Sequence, residues 1–436
     1  VSECNNLRLE QSSWMFGYQA AIDFSSGSPV ASPRAFNASP AYNTGEANIN
    51  VMDNSGNVLF SSNGVDVYNS SDVKITSAPL MHVNVSSTCE IINVPDPGNA
   101  NQQYLFYTTN LESAGSGFGY SIIDHSGAGS VVFTGFMDTP GGAEPAEIIT
   151  AVPHCNGTDY WLITHGKFAG AKEFWVWKIS SSGITDAAGT GTQPDVYSGF
   201  QLLASKGSLR SSHDGSKLVM SGYTSTESKI ALYDFDQTNG AVTNEEVIYT
   251  GDFFMANAAY TENDKYIYFV EYNFPDWINK IKRIDQSGNI EELLSSDLWL
   301  WGMSLGPDER MYMQVQNTAQ VIMVPNPEDV NPLMHMNGLD LTDGTPVCWG
   351  GLNFVQYIDA YKPSEIEHDF HIAETGCGFF SFEPTNPCMS TSFEWGFGDG
   401  NSSTLEAPLH TYASYGTYMV ELVVDGTDTI YHEIDF

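Results

Sequence analysis

Positive charge is scarce in this chain: 16 Lys and Arg stand against 53 Asp and Glu over 436 residues, a formal net charge of −37. A surface of that sign repels a phosphate backbone and an anionic leaflet, so neither nucleic acid nor direct membrane insertion is expected. No run of about 18 apolar residues occurs, so nothing reads as a membrane-spanning helix. No basic-plus-apolar segment stands at Val1 either, as expected of a mature secreted form. G-x-S-x-G, H-E-x-x-H, Walker and strand-to-helix G-x-G-x-x-G motifs are missing, which removes the main hydrolase, zinc-protease and nucleotide signatures. Long amphipathic helical patterns are missing too. What remains is β-forming: 24 Phe, 22 Tyr and 9 Trp suit pleated surfaces, and 40 Gly with 20 Pro supply turns.

Internal repetition carries most of the information. From Glu46 the chain reads EANINVMDNSGNVLFSSNGVDVYN: a strand, a turn at Asn54–Asn57, a second strand, a turn at Asn63-Gly64, then a third. The same order returns from Cys89, Glu147, Gly207, Ala256 and Gly302, at spacings of roughly 40 to 60 residues. Such units are the blades of a β-propeller, each of which buries its faces only against neighbours. A seventh blade is expected from the two ends. Residues 14–30 lack a first strand, and residues 350–358 (GGLNFVQYI) read as a first strand with nothing after it. The expectation is an all-β chain: a seven-bladed propeller over 1–361 closed by its termini, a charged linker over 362–370, and a small immunoglobulin-like β-sandwich over 371–436.

That last segment carries Trp395, Phe397, Gly398, Asp399 and Gly400, then Pro408, His410, Thr411 and Tyr412, then Gly416, Tyr418 and Val420. These residues resemble the polycystic-kidney-disease-type (PKD) domain, which implies spacing, adhesion or contact with carbohydrate and protein on secreted bacterial proteins. The stretches WMFGYQAAIDFSSGSPV, EANINVMDNSGNVLFSSNGVDVYN and CEIINVPDPGNANQQYLFYT look like the propeller of bacterial surface proteins exported by type IX secretion and associated with gliding motility. The sorting domain in which such chains often end does not follow Phe436. The resemblance implies a secreted or cell-surface adhesin or structural protein rather than a catalyst. Surface glycans, other surface proteins and self-assembly are its expected partners. A lectin-like propeller is the alternative, and an enzyme acting on polysaccharide or peptide the third.

Candidate sites are few. Trp299, Trp301 and Trp349 precede blade first strands and could form a sugar platform, as could Tyr272 with Trp277 beside Glu271 and Asn273 in a segment that interrupts a blade. His368 and His371, with Glu365, Glu367 and Asp369, have the ligand types for a divalent cation, although a charged connector explains them as well. The acidity reads plainly as a hydrated surface and more sharply as calcium binding by clustered carboxylates; no other cofactor is implied. Ser212–Ser216, Asp53–Asn57 and Asp285–Asn289 read as hairpin turns, and His335 as a packing residue.

Six cysteines allow several pairings. Cys377 and Cys388 flank the turn at 384–387 and would staple a domain short of core. Cys4 and Cys348 could lock the composite blade. Aligning Val94-Pro95 with Val152-Pro153 puts Cys89 and Cys155 about eight residues apart in height, roughly 26 Å, well beyond the ~7 Å reach of a bridge, so these two are expected not to pair.

Overall fold

A computed structural model of the chain describes residues 8–16, 20–32, 48–77, 80, 91–108, 117–166, 173–200, 207–223, 227–251, 254–273, 278–315, 318–342, 354, 356–362, 368–376, 378–384, 390 and 392–435. Two compact units result: Val1–Val152 with Tyr160–Ala360, and Pro153–Asp159 with Tyr361–Phe436. Strands make up nearly all regular structure, with two short 3-10 turns at Leu9–Gln11 and Pro140–Gly142.

Among the described residues the first unit holds seven antiparallel sheets, six of them meanders in chain order and the fourth a meander whose last strand, Asp195–Ser198, pairs back on Glu173–Ser180. The first comprises Ser13–Phe16, Ala20–Asp23 and Val30–Ala31, the second Ile49–Met52, Val58–Ser62 and Val67–Asn69. The third comprises Ile91–Pro95, Gln102–Thr108, Phe118–Asp124 and Ser130–Phe136; the fourth Pro145–Pro153, Tyr160–Gly166, Glu173–Ser180, Gly183–Thr185 and Asp195–Ser198. The fifth runs through Gly207–Ser211, Lys217–Tyr223, Ser228–Phe235 and Val242–Gly251, the sixth through Phe254–Tyr260, Tyr266–Asn273, Ile278–Asp285 and Ile290–Ser296. The seventh contains Leu300–Leu305, Met311–Val315, Gln320–Val324 and His335–Asp340. Local chemistry sets the hairpins. At Asp53–Asn57 the Asp53 carboxylate accepts from the Ser55 and Asn57 backbone N–H at 2.8 Å, while Gly56 takes φ +79°, a value L side chains rarely adopt.

Both faces of these sheets are apolar, so each sheet is buried by its neighbours, the arrangement of a β-propeller. One cluster joins Ile148, Trp161 and Val176 of the fourth sheet to Leu209, Met220 and Tyr233 of the fifth. Another joins Tyr268 and Ile281 of the sixth to Met303, Met313 and Ile322 of the seventh. The first sheet meets the seventh: Trp14 and Phe24 pack on Tyr312 at ring-centroid distances of 5.6 and 5.5 Å.

The expected strand at 350–358 differs. Residues 349–353 and 355 lie outside the described residues, but Phe354 and Gln356–Ala360 are not a strand. Phe354 packs on Trp14 and Phe16 of the first sheet at 5.1 and 4.8 Å. The Tyr357 hydroxyl lies 2.9 Å from the Ser13 carbonyl and 3.2 Å from that of Asn50 in the second sheet. Gln356 donates to the Ile149 carbonyl of the fourth sheet, Ile358 packs against the core shared by the third and fourth, and Arg210 of the fifth faces Asp359. Arg8 donates in turn to the carbonyls of Asp359 and Ile358, at 3.0 and 3.4 Å. The segment satisfies its polar groups across sheets, not along a ladder.

The second unit is a sandwich of one sheet of Phe370–Gly376, Phe379–Pro384 and Leu409–Thr411 and another of Ser402–Ser403, Phe393–Gly396, Thr417–Val424 and Asp428–Asp435. Val420, Leu422 and Val424 point inward, as their alternation requires, against Trp395 and Phe382.

Cys155 is disulfide-bonded. It is the one cysteine among the described residues; Cys4, Cys89, Cys348, Cys377 and Cys388 lie outside them. The pairings expected from sequence cannot all hold. If Cys155 is not bonded to Cys89, it takes a cysteine from the Cys4–Cys348 or the Cys377–Cys388 pair. The chain turns at Cys155, with the Gly157 N–H donating to the His154 carbonyl, so strand height does not fix its partner.

The crossing segment is testable. Tyr357→Phe should cost about 1–2 kcal/mol by removing the hydroxyl donor shared by the Ser13 and Asn50 carbonyls, and Phe354→Ala about 3–4 kcal/mol by opening a cavity beside Trp14. Denaturant unfolding of the full chain measures both, and unchanged midpoints would mean that the segment does not dock.

Candidate functional site

The aromatic candidates do not assemble among the described residues. Trp299 is 44% exposed just ahead of Leu300–Leu305. Trp301 lies within that strand with its side chain outside the description, and Trp349 and Trp277 fall outside the described residues. Tyr272 is buried in the core between the sixth and seventh sheets and is not offered to a ligand. Its strand continues to Asn273, which pairs with Ile278; residues 274–277 lie outside the described residues.

His368 Nε2 lies 3.7 Å from Asp428 Oδ2, and Asp369 pairs with His432 at 2.5 Å. Glu365 and Glu367, which complete the expected ligand set, are outside the described residues, among which no three His, Cys, Asp or Glu side chains converge. His368 and Asp369 both face the strand Asp428–Asp435.

The structure does gather ionisable groups between the fifth and sixth sheets. Ser212–Ser216 is the expected hairpin turn, with Gly215 at φ +73°. That turn also places His213 against the next sheet: Nδ1 lies 2.8 Å from Asp264 Oδ1, and the His213 backbone N–H donates to the same carboxylate at 3.0 Å. Nε2 lies 3.8 Å from Glu262. Burial alone would push the imidazole down, but the hydrogen bond and charge of Asp264, with Glu262 and Asp359, outweigh it and hold His213 above its ordinary value. Beside it, burial holds the Tyr260 phenol well above its usual range, helped by Asp264 and Asp214.

A second cluster joins the same two sheets. Lys282 Nζ donates to Glu271 at 2.7 Å and Tyr249 at 2.9 Å, and the Tyr249 hydroxyl donates to Glu271 at 2.6 Å. Burial opposes the charge on Lys282, but Glu271 and Tyr249 hold its pKa up, so this amine is a poor nucleophile. Both clusters are reciprocal. His213 between two carboxylates and Lys282 on a third tie the sheets together. Local sequence signals the His213 turn but not its partner 51 residues away.

In the second unit each motif residue has a structural task. Trp395 is buried and donates Nε1–H to the Leu405 carbonyl at 2.9 Å. His410 stacks on Phe397 at 4.1 Å and lies 2.9 Å from Asp399, which also accepts from Asn401. The Tyr412 hydroxyl donates to the Phe397 carbonyl at 2.8 Å. Gly398 sits at φ +78°, where a Cβ would come within 2.5 Å of the Met419 carbonyl oxygen.

Residues 379–433 match the PKD domain model. This segment is similar to PKD domains. No curated protein matches the chain. Solved structures similar to it include a protein from Lactobacillus plantarum, 12% identical, covering 79% of this chain and 99% of that one with a TM-score of 0.47. The Dos1 propeller is 10% identical, covers 75% and 73% of the two chains and gives 0.44. A protein provisionally described as a 6-phosphogluconolactonase from Bacteroides uniformis is 12% identical, covers 84% and 94% and gives 0.41. Likeness at that level says nothing about what this chain binds.

The His213 clasp predicts a sign. A histidine whose pKa is raised on folding stabilises fully below its unfolded value of about 6.5 and loses that contribution as pH rises through the folded value. The stability difference between wild type and His213→Gln should therefore be larger at about pH 6 than at about pH 9. Urea midpoints at the two pH values test it, and an equal or larger difference at the higher pH would refute the clasp.

Proposed function

We propose that the chain is a non-catalytic extracellular or cell-surface binding protein of the type IX-exported kind, acting as an adhesin or structural component. Its first unit is a seven-bladed propeller, closed where the N-terminal sheet and residues 354–360 meet the last sheet. The observation that carries this reading is the course of residues 354–360. A short segment can touch the first, second, fourth and fifth sheets together only where their inner strands converge, on the propeller axis. The chain itself thus occupies the place where a propeller ordinarily takes a small ligand. The ionisable clusters in the remaining walls are spent on joining sheets, which leaves neither a free general base nor a low-pKa amine in them.

Two further observations support an extracellular setting. Cys155 is bonded, and structural disulfides persist in oxidising compartments. PKD domains are also usually extracellular. With the axis filled, binding falls to the outer surface, including exposed groups of the PKD domain such as Tyr415, Leu409 and Tyr431.

The test uses the full chain on a glycan array, in a cell-attachment assay and against polysaccharide and peptide libraries. Attachment without competition by free sugar is the expected result. Saturable, sugar-competed binding would replace this reading with a lectin, and turnover of any substrate would overturn it.

A further inference from the structure

The strand Ser130–Phe136 stands apart from the other outer strands of the first unit. Those of the first and second sheets, Val30–Ala31 and Val67–Asn69, are two and three residues long. Asp195–Ser198 begins on a carboxylate, Val242–Gly251 carries Glu245 and Glu246, Ile290–Ser296 carries Glu291 and Glu292, and His335–Asp340 ends on Asp340. Short length and charge are the usual protections of an open sheet edge. Ser130–Phe136, sequence SVVFTGF, has seven residues and no charge. Val132, Phe133 and Phe136 are 55%, 45% and 55% exposed. Among the described residues it pairs on one side only, with Phe118–Asp124. Its rings lie over neighbouring residues of the sheet. A Cβ on Gly135 would fall 2.7 Å from the Phe133 ring and one on Gly117 2.9 Å from the Phe136 ring, and Phe133 packs on Tyr120 at 5.1 Å.

We infer that this edge pairs with the same strand of a second copy of the chain, antiparallel, in a closed two-fold dimer. The argument for that occupant is charge. Two copies each carrying a net charge of −37 repel wherever carboxylates face each other, and this strand has none. The neighbouring strand Phe118–Asp124 has one, at its far end. A basic partner would be drawn to the acidic surface elsewhere. The strand is also compatible with itself: centred on Phe133, antiparallel pairing sets Val132 opposite Thr134, Val131 opposite Gly135 and Phe133 opposite its copy, with no like charges across the ladder. A bulge falls at Val132, where the register with Ile122 and Ile123 shifts, and Phe133–Phe136 keep regular register with Gly119–Ile122 beyond it.

This surface rests on the binding-protein reading and supplies its self-association arm. Association through an uncharged edge between like-charged molecules strengthens as salt screens the repulsion, the reverse of a charge-driven contact. Sedimentation equilibrium of the full chain at about 0.02 M and about 0.5 M NaCl should show a monomer–dimer equilibrium that shifts to dimer at the higher salt. Phe133→Lys with Phe136→Lys should raise the dimer Kd at least about tenfold, with near-native circular dichroism and melting temperature. Val132→Lys alone should act in the same direction and serves if the double variant does not fold. A wild type that stays monomeric across both salts, or variants that dimerise as tightly as wild type, would overturn the inference. A monomer that still attaches to cells overturns this surface alone, whereas a dimer that turns over substrate overturns the functional reading alone.

Discussion

Trp14 ties the first sheet to the seventh. Its ring is fully buried and meets Phe24 at 5.0 Å, Tyr312 at 5.6 Å and Phe354 at 5.1 Å, so the beginning of the repeat, its last sheet and the crossing segment share one aromatic contact. A row of meanders leaves an apolar face bare at each end unless those ends meet. Here they meet face to face through rings, and the Tyr357 hydroxyl bridges carbonyls on the first and second sheets beside them. Elsewhere among the described residues neighbouring sheets bury large side chains against one another, whereas at this seam three sequence-distant elements share one ring.

Scarcity of cations becomes intelligible from where they are placed. Arg283 is 2% exposed, donates to the carbonyls of Pro327, Asp329 and Val330, and pairs with Glu291, fixing the loop before the last strand of the seventh sheet. Lys282 is locked to Glu271, and Arg8 holds the carbonyls at 358 and 359. Cations spent on holding loops and sheet boundaries do not offset the acidic surface. The protein therefore keeps a strongly hydrated exterior while its interior joints carry ordinary charge-assisted hydrogen bonds.

Much of the architecture is legible in the sequence because it is local. Alternation along Tyr418–Val424 and the Asp-x-x-Gly-Asn turns at Asp53 and Asp285 follow from backbone preferences that act within a few residues. The PKD motif is legible for the same reason: Trp395, Phe397 and His410 sit close in sequence and in space. What misled was long-range. Residues 354–360 have strand-like composition, yet Gln356 and Tyr357 find their partners about 207 and 307 to 344 residues away, on carbonyls that no pattern along the chain advertises. Tyr272 reads as a loop aromatic because Trp277 follows, but the hairpin register carries it into the core.

The same distinction bears on catalysis. His213 with Asp264 has the geometry of a base held by an orienting carboxylate, and in isolation it would invite a catalytic reading. What distinguishes it from such a base is the second nitrogen. A working base needs Nε2 free toward a substrate, whereas here Nε2 faces Glu262, and the nearby carboxylates raise the imidazole pKa against the opposing effect of burial. His213 of the fifth sheet thus meets a carboxylate of the sixth-sheet turn at each ring nitrogen. Its chemistry is that of a fastener, and so is that of the Lys282, Glu271 and Tyr249 group on the same pair of sheets.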